Sequence, residues 1–418
     1  MRILISGAGI AGPVLAYWLT RQGFSVTVVE REPAPRKTGG HAVDLFRPAM
    51  DISEKMGVLP RIEAHATGTS RLTLCPEGTL RPARADLARI FGATSDRHAE
   101  IMRDDLSEIY YDVTRADVEY LFGDSITELS PDGAVRFAHA APREFDLVVG
   151  ADGLHSTVRR LIFGDESRHT AYIGAYLGVL TLPDTAVDDG ELRIHVGVGR
   201  TAGIYNARAG AARALLLFRS ARELDCHHHD TARQKELLRT AFDGMDTEVD
   251  GWLQALDRTP AFYFDSITQV RMDTWSRGRV TLVGDAGYSP GPAVGGSTTL
   301  SVVGAYVLAG ELARAGGDPE RAFPAYERAM AAHVLVSRAM ALRAAKTLIP
   351  TSRLAVSGLV QATRLLSVLP AGPSRAFLRL TTKSARVYNA MTVADYAVPP
   401  ALSRPSDARA STGVDTES

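Results

Sequence analysis

The chain has 418 residues, 45% of them apolar, with 47 basic and 48 acidic side chains and a formal net charge of −1. That length buries a large core and predicts two domains, while the balanced charge argues against nucleic acid as a default partner. Two cysteines, Cys75 and Cys226, are too few for a disulfide scaffold and predict reduced thiols.

The chain opens on a strand, with no basic stretch followed by an apolar leader. No apolar run reaches the ~18 residues of a membrane span. The expectation is a cytoplasmic protein without stable membrane insertion, a monomer or homodimer.

Arg2 to Ser6 is a short apolar run that predicts a buried parallel strand. Gly7-Ala8-Gly9-Ile10-Ala11-Gly12 follows, then a helix over Pro13 to Gln22, stopped by Gly23. Ser25 to Val29 is a second, β-branched strand, and Glu30 closes it. Strand, glycine turn, helix, strand and acid together are the context a bare GxGxxG lacks. Gly7 serves the tight turn, Gly9 lets backbone approach a pyrophosphate, and Gly12 permits close helix–strand packing. The helix N-terminus offers free N–H groups to an anion. Glu30 is placed to accept from an adenosine ribose and would repel a 2′-phosphate, so the loop is read as a site for NAD or FAD.

Further along, Ala42 to Leu45 reads as a strand and Pro48 to Lys55 as a helix capped by Gly57. Leu72 to Arg84 reads as a hairpin turning at Pro76-Glu77-Gly78, and Arg103 opens a helix with an acidic first turn. Val118 to Phe122, Ile126 to Leu129 and Ala134 to Ala138 are strands. Phe145 to Val149 is an apolar strand followed by Gly150-Ala151-Asp152-Gly153 and a helix from Thr157. Between Thr170 and Arg271 the style changes to four short strands interrupted by one helix, Asp230 to Phe242. That predicts an inserted antiparallel layer. Arg279 to Val283 returns to the first style and ends in Gly284-Asp285. Gly295 to Arg314 is a helix apolar nearly all round, hence buried. Asp318 to Ala332 is another helix, and Pro350 and Pro370 break those beyond it.

Three motifs now stand together: Gly7 to Gly12 with Glu30, Gly150 to Gly153, and Gly284-Asp285. Each follows an apolar strand, so each is delivered at a strand's carboxyl end, where open α/β sheets bind ligands. The set resembles the FAD-dependent aromatic monooxygenases, the para-hydroxybenzoate hydroxylase class with its tetracycline-inactivating and polyketide-tailoring members. The resemblance covers roughly residues 1 to 330.

It implies an α/β fold: a Rossmann-like FAD-binding domain, an inserted antiparallel substrate domain and C-terminal helices. The FAD domain is expected over 1–70, 100–168 and 272–335, and the substrate domain over 71–99 and 169–271. Helices are expected over 336–400 and a disordered tail over 401–418. Gly7, Gly9 and Gly12 match the pyrophosphate loop and Glu30 the ribose acid. Arg103 matches an arginine on the ribityl and phosphate region, and Asp152 with Gly153 a motif tied to FAD and NAD(P)H. Asp285 matches the acid on the ribityl chain, and the loop Pro290 to Gly296, with Pro292, Gly295 and Gly296, the segment beside the isoalloxazine. That loop leads into a helix N-terminus, which would favour negative charge on the reduced ring. The commoner family pattern has histidine where Tyr288 stands and a G-Q-G where Gly295-Gly296-Ser297 stands.

The implied reaction is reduction of FAD by NADPH or NADH, addition of O2 to give a flavin C4a-hydroperoxide, and hydroxylation of an aromatic or polyketide-like small molecule. Such enzymes act in antibiotic modification and biosynthetic tailoring. The rivals are an epoxidase or an FAD-linked reductase on the same fold, and a non-catalytic flavoprotein that sequesters a ligand. No W-x-W-x-I-P segment supports a halogenase. No protein nucleophile is required. His195, Tyr205 and Arg219 are candidates to orient the substrate, on strands expected to face the flavin.

Cys226-His227-His228-His229-Asp230 has adjacent ligand types that point apart, so it reads as a surface loop and no metal is assigned. From Arg328 to Ala394 basic residues recur and no acid occurs, which reads as helices with solvated basic edges. The alternatives are positive charge near an anionic substrate, which the resemblance implies where C-terminal helices help close the substrate site, and a membrane-surface or lipophilic-substrate role.

Overall fold

The strand Arg2–Ser6 sits inside a six-stranded sheet, flanked in parallel by Ser25–Glu30 on one side and Leu147–Gly150 on the other. Glu119–Phe122 extends it in parallel beyond Ser25–Glu30. Val280–Leu282 extends it in parallel beyond Leu147–Gly150, and Ser276–Arg277 closes that edge antiparallel. The computed structural model describes residues 1–35, 39–78, 81–87, 97–182, 187–207, 211–226, 230–259, 261–292, 296–369, 388 and 391–396. The expected tail, His227 to His229, Gly295 and the basic residues between 370 and 387 lie outside them.

The fully apolar runs that predict parallel strands are buried on both faces. On one side the helices Ala11–Arg21 and Ser297–Arg314 pack on each other, and both join the largest apolar core. Ser297–Arg314 is buried along nearly its whole length, as its uniform apolarity requires. Its cap is Gly296 at φ +85°, a left-handed conformation suited to glycine.

A second, seven-stranded sheet runs Phe262–Val270, Thr170–Leu182, Ala211–Arg219, Arg200–Ala207, Glu191–Gly197, Arg71–Pro76, Ala83–Asp86. It is antiparallel except where Glu191–Gly197 runs parallel to Arg71–Pro76. Its outer face packs Tyr176, Ala202, Ile204, Leu216 and Phe218 against the helices Thr231–Phe242 and Thr247–Ala255. Its inner face packs Leu177, Val179, Leu217 and Ile267 against Ala341, Ala345 and Ile349. Between the sheets lies the two-stranded ribbon Ala42–Phe46 with His98–Met102.

The structure departs from the sequence reading in three places. The helix expected to stop at Ala332 runs from Pro319 to Leu348. Its buried stripe of Phe323, Tyr326, Met330, Val334, Ser337, Ala341 and Ala345 continues unbroken, and no proline or glycine occurs between Ala332 and Pro350. The inserted layer holds two helices, not one, since Asp246 caps Thr247–Ala255 through the Glu248 N–H. Phe262–Val270 is an additional strand of the same layer. Among the described residues no helix is long and apolar enough to cross a membrane.

Candidate functional site

The first glycine loop is built around close backbone approaches. Gly7 has φ +106°, and a Cβ there would lie 2.6 Å from the Ala151 carbonyl oxygen. A Cβ on Gly12 would lie 2.0 Å from the Gly7 oxygen. Gly9 is different, because a Cβ there would meet nothing within 4 Å. The open side of the loop is therefore at Gly9, beside a helix start with no side-chain cap on its first N–H groups. This is a cradle of the shape and polarity that a pyrophosphate fills.

Glu30 accepts from the Ala8 N–H at 2.7 Å and from the Glu32 N–H at 2.9 Å. It thus braces the loop, and each of its oxygens keeps a lone pair for a ribose hydroxyl. Ser107, on the helix Arg103–Asp112, donates to the Ala8 and Gly9 carbonyls at 3.3 Å.

The two other glycine–acid turns meet the first at the strand ends. The Asp152 carboxylate accepts from the Val158 N–H at 3.1 Å, from Ser156 Oγ and from Ser6 Oγ. Burial pushes its pKa up, opposed by those bonds. The acid expected to touch FAD is thus turned toward its own turn, while Gly153, at φ +81°, faces open space.

Sequence reasoning missed Arg159. Its guanidinium, fully buried, donates to the Leu154 oxygen at 2.5 Å and the Ala286 oxygen at 2.9 Å, tying the Asp152 and Asp285 turns together. The signal was one of two adjacent arginines, Arg159-Arg160, on the helix start after the turn, indistinguishable by composition from surface arginines. Asp285 begins the short helix Asp285–Tyr288 and accepts from Ser297 Oγ, at the start of the buried helix.

Tyr288, where the commoner pattern has histidine, is fully buried. Its hydroxyl accepts from Tyr326 at 3.0 Å and sits where a Cβ on Gly304 would be, 1.8 Å away. Tyr288 is a core residue made possible by a glycine inside a helix.

Arg103 begins its helix near His41, whose carbonyl accepts the Arg103 N–H at 3.1 Å. Burial first, and the Arg103 charge second, pull the His41 imidazole down to about 4, so it is neutral at pH 7. Tyr263, also missed from sequence, is held well above the ordinary phenol range by burial and then by Asp265. The Arg103 and Asp285 charges both act on it, so its phenol lies within electrostatic reach of those two candidate FAD contacts. It donates to Asp265 at 3.0 Å. Asp265 in turn meets His155 Nε2 at 2.9 Å, and His155 Nδ1 meets Glu166 at 2.9 Å.

Register decides the opposite wall. The pairs Ala42↔Met102, Asp44↔Glu100 and Phe46↔His98 put six side chains on one face of the ribbon. Met102 and Ala42 pack there with Tyr205, Ala207, Leu192 and Leu215 from the inner face of the large sheet. Tyr205 stands opposite Arg213. The Ala42 N–H donates to the Tyr205 hydroxyl at 2.7 Å, and Arg213 Nε donates to the Gly40 oxygen at 3.2 Å. Arg213 Nη1 is buried without a partner. His98 is bonded to Asp44 at 2.7 Å. Burial, then Asp44, raises the Glu100 carboxyl pKa. The Tyr388 ring stacks on Phe46 at 5.2 Å and lies directly on Gly296.

The structure does not bring His195 or Arg219 to this wall. His195 is on the outer face, bonded to Glu248 at 2.9 Å, ringed by Trp252 and near Asp246. Arg193 also binds Glu248, at 3.0 Å. Arg219 is on the inner face but donates to the Ile349 and Ala345 oxygens at 2.8 and 3.0 Å, at the end of the long helix. Pro292 borders residues outside the description.

Comparison with known proteins agrees with this geometry. A family model described as an FAD binding domain matches residues 1–334. An uncharacterised protein of Mycobacterium tuberculosis (strain ATCC 25618 / H37Rv), Rv1260, is 42% identical over 335 residues, 78% of this chain and 88% of that protein. A flavin-dependent monooxygenase of Legionella longbeachae serogroup 1 is 36% identical over 330 residues, 78% of this chain and 84% of that protein. Among solved structures, the tetracycline destructase Tet(51) superposes with a TM-score of 0.78 at 30% identity, covering 94% of this chain and 99% of that one.

Proposed function

Because the chain belongs to the FAD-dependent aromatic monooxygenase family, we propose that it hydroxylates an aromatic or polyketide-like small molecule with NADPH or NADH as reductant. The observation that carries this reading is the set of glycine turns that suit FAD, together with an apolar cluster beside residues 40–42 that holds two polar groups, Tyr205 and Arg213. A mostly apolar cavity with few placed polar groups is how small planar substrates are held. A polyketide of the tetracycline type is the first substrate to test, since the neighbour at 30% identity is named a tetracycline destructase.

When bound, FAD supplies hydride acceptance and oxygen activation, chemistry that no side chain here provides. Gly9 and the uncapped helix start take the pyrophosphate, and Glu30 takes the ribose. Asp285, steadied by Ser297, accepts from the ribityl hydroxyls. The N-terminus of Ser297–Arg314 lends positive potential to the pyrimidine edge of the ring. On the other wall, Arg213 receives a phenolate or enolate oxygen, which concentrates electron density on the ring carbons. The Tyr205 hydroxyl, oriented by the Ala42 N–H, donates to a second substrate oxygen. Leu192, Leu215 and Met102 keep water from the reacting atoms.

The deciding experiment supplies NADPH or NADH with ¹⁸O2 and a tetracycline to the flavin-loaded protein. One labelled oxygen atom in the product is the expected result. Rapid flavin reduction with no label in any product makes the protein a reductase. Failure of both nucleotides to reduce the flavin, with and without the ligand, makes it a sequestering flavoprotein.

A further inference from the structure

Arg338, on the helix Pro319–Leu348, has no role in the site so far described. Its Nε and Nη2 are shut off from solvent and have no hydrogen-bond partner among the described residues. These two N–H groups lie on one edge of the guanidinium, the edge that grips a carboxylate or phosphate side-on with two parallel bonds. Arg271, just past the strand Phe262–Val270, stands close enough for its charge to act on Arg338.

The link between them is Gln269, fully buried on the inner face of the large sheet. Its Oε1 accepts from Arg271 Nε and Nη2 at 3.3 and 2.9 Å. Its Nε2 donates to the Arg338 carbonyl at 2.9 Å and to the Pro290 carbonyl at 3.0 Å. One amide thus ties the Arg271 guanidinium and the Arg338 backbone to the first residue of the loop assigned to the isoalloxazine. Among the described residues neither arginine is ion-paired with a carboxylate.

Like charges within reach of each other repel, and an unpartnered buried N–H pair is a defect unless something fills it. Burial first, and Arg271 second, pull the Arg338 pKa down to about 10. It remains charged at pH 7. A counter-anion would both offset the repulsion and fill the unpartnered edge of Arg338.

We propose that Arg338 and Arg271 form an anion subsite beside the Pro290 loop, taking a phosphate or carboxylate carried by a reactant that reaches the flavin ring. The fork itself depends on nothing else. The identity of the reactant rests on the monooxygenase reading, in which two anions qualify: the phosphates of the nicotinamide co-substrate, or an acidic group on the substrate.

The test begins with inorganic pyrophosphate titrated calorimetrically into the flavin-loaded protein at low salt. The wild type binds it, and Arg338→Gln and Arg271→Gln each weaken binding about tenfold or more. Arg338→Lys keeps the charge without the fork and recovers only part of the affinity. If Arg338→Gln fails to fold, the exposed Arg271→Gln still decides.

The source is read from steady state. A rise of about tenfold in KM for NADPH or NADH, with FAD content and substrate KM unchanged, assigns the subsite to the co-substrate. The same rise confined to the substrate assigns it there. Wild type and variants that bind pyrophosphate equally, or not at all, and share both KM values overturn the proposal. The titration needs no oxygen transfer, so its outcome stands apart from that of the labelling experiment.

Discussion

The two sheets place functional groups by opposite means. In the parallel sheet the three glycine–acid motifs lie at or just past a strand's carboxyl end, each within a few residues of its own strand. In the seven-stranded sheet the polar residues lie on strand faces, and alternation decides which face the ribbon. Arg213 and Arg219 share a face, yet one meets the ribbon and the other caps a helix six residues further along. His195, one strand beyond Tyr205, faces the other way altogether. Local spacing carries the first kind of site, and long-range register carries the second.

The largest expected effects test the loop side of this contrast. Gly12→Ala puts a methyl group 2.0 Å from a backbone oxygen that has no room to retreat. The expected loss exceeds roughly 3 kcal/mol and leaves little soluble holoprotein. Gly9→Ala meets no protein atom. It is expected to keep the melting temperature of the apoprotein while FAD affinity falls, as read by the ratio of flavin to protein absorbance. Unchanged FAD occupancy in Gly9→Ala would remove this loop from the cofactor site. Asp285→Ala is expected to purify largely colourless, because the ribityl hydroxyls lose a charged acceptor.

The register side is tested by substitutions on opposite faces of one sheet. Arg213→Met keeps the packing and removes the charge, and is expected to raise substrate KM about tenfold with FAD content unchanged. His195→Gln breaks the pair with Glu248 on the outer face. It is expected to lower the melting temperature by a few degrees and leave KM alone. Equal effects of the two on KM would mean that the inner wall is not where substrate binds.

The same division explains what could be read in advance. The βαβ unit, the three glycine–acid turns and the buried helix were legible because each is a short pattern with its own physical reason. Tyr205 was legible as a polar residue on a pocket strand, but nothing local separated it from His195. Tyr288 reads as a departure from a motif until Gly304 is seen to open the space its hydroxyl fills. Helix Pro319–Leu348 runs past its expected end because alanines at the buried stripe carry little hydropathy signal, although they pack as well as larger residues against the sheet.

A smaller effect tests how the two sheets are joined. His155, in the Asp152 turn, is held by Asp265 of the large sheet and by Glu166. The hydrogen bonds from Asp265 first, then Glu166, raise its pKa from 6.5 to about 10. The folded protein therefore binds this proton more tightly than the unfolded chain does. Its contribution to stability is full below pH 6.5, shrinks as pH rises from there, and is gone above about 10. His155→Gln should lower the melting temperature most at pH 6 and progressively less toward pH 10. Because the side chain is 44% exposed, salt should shrink the gap as well. A gap that stays constant with pH would mean that the imidazolium is not what ties the turn to the sheet.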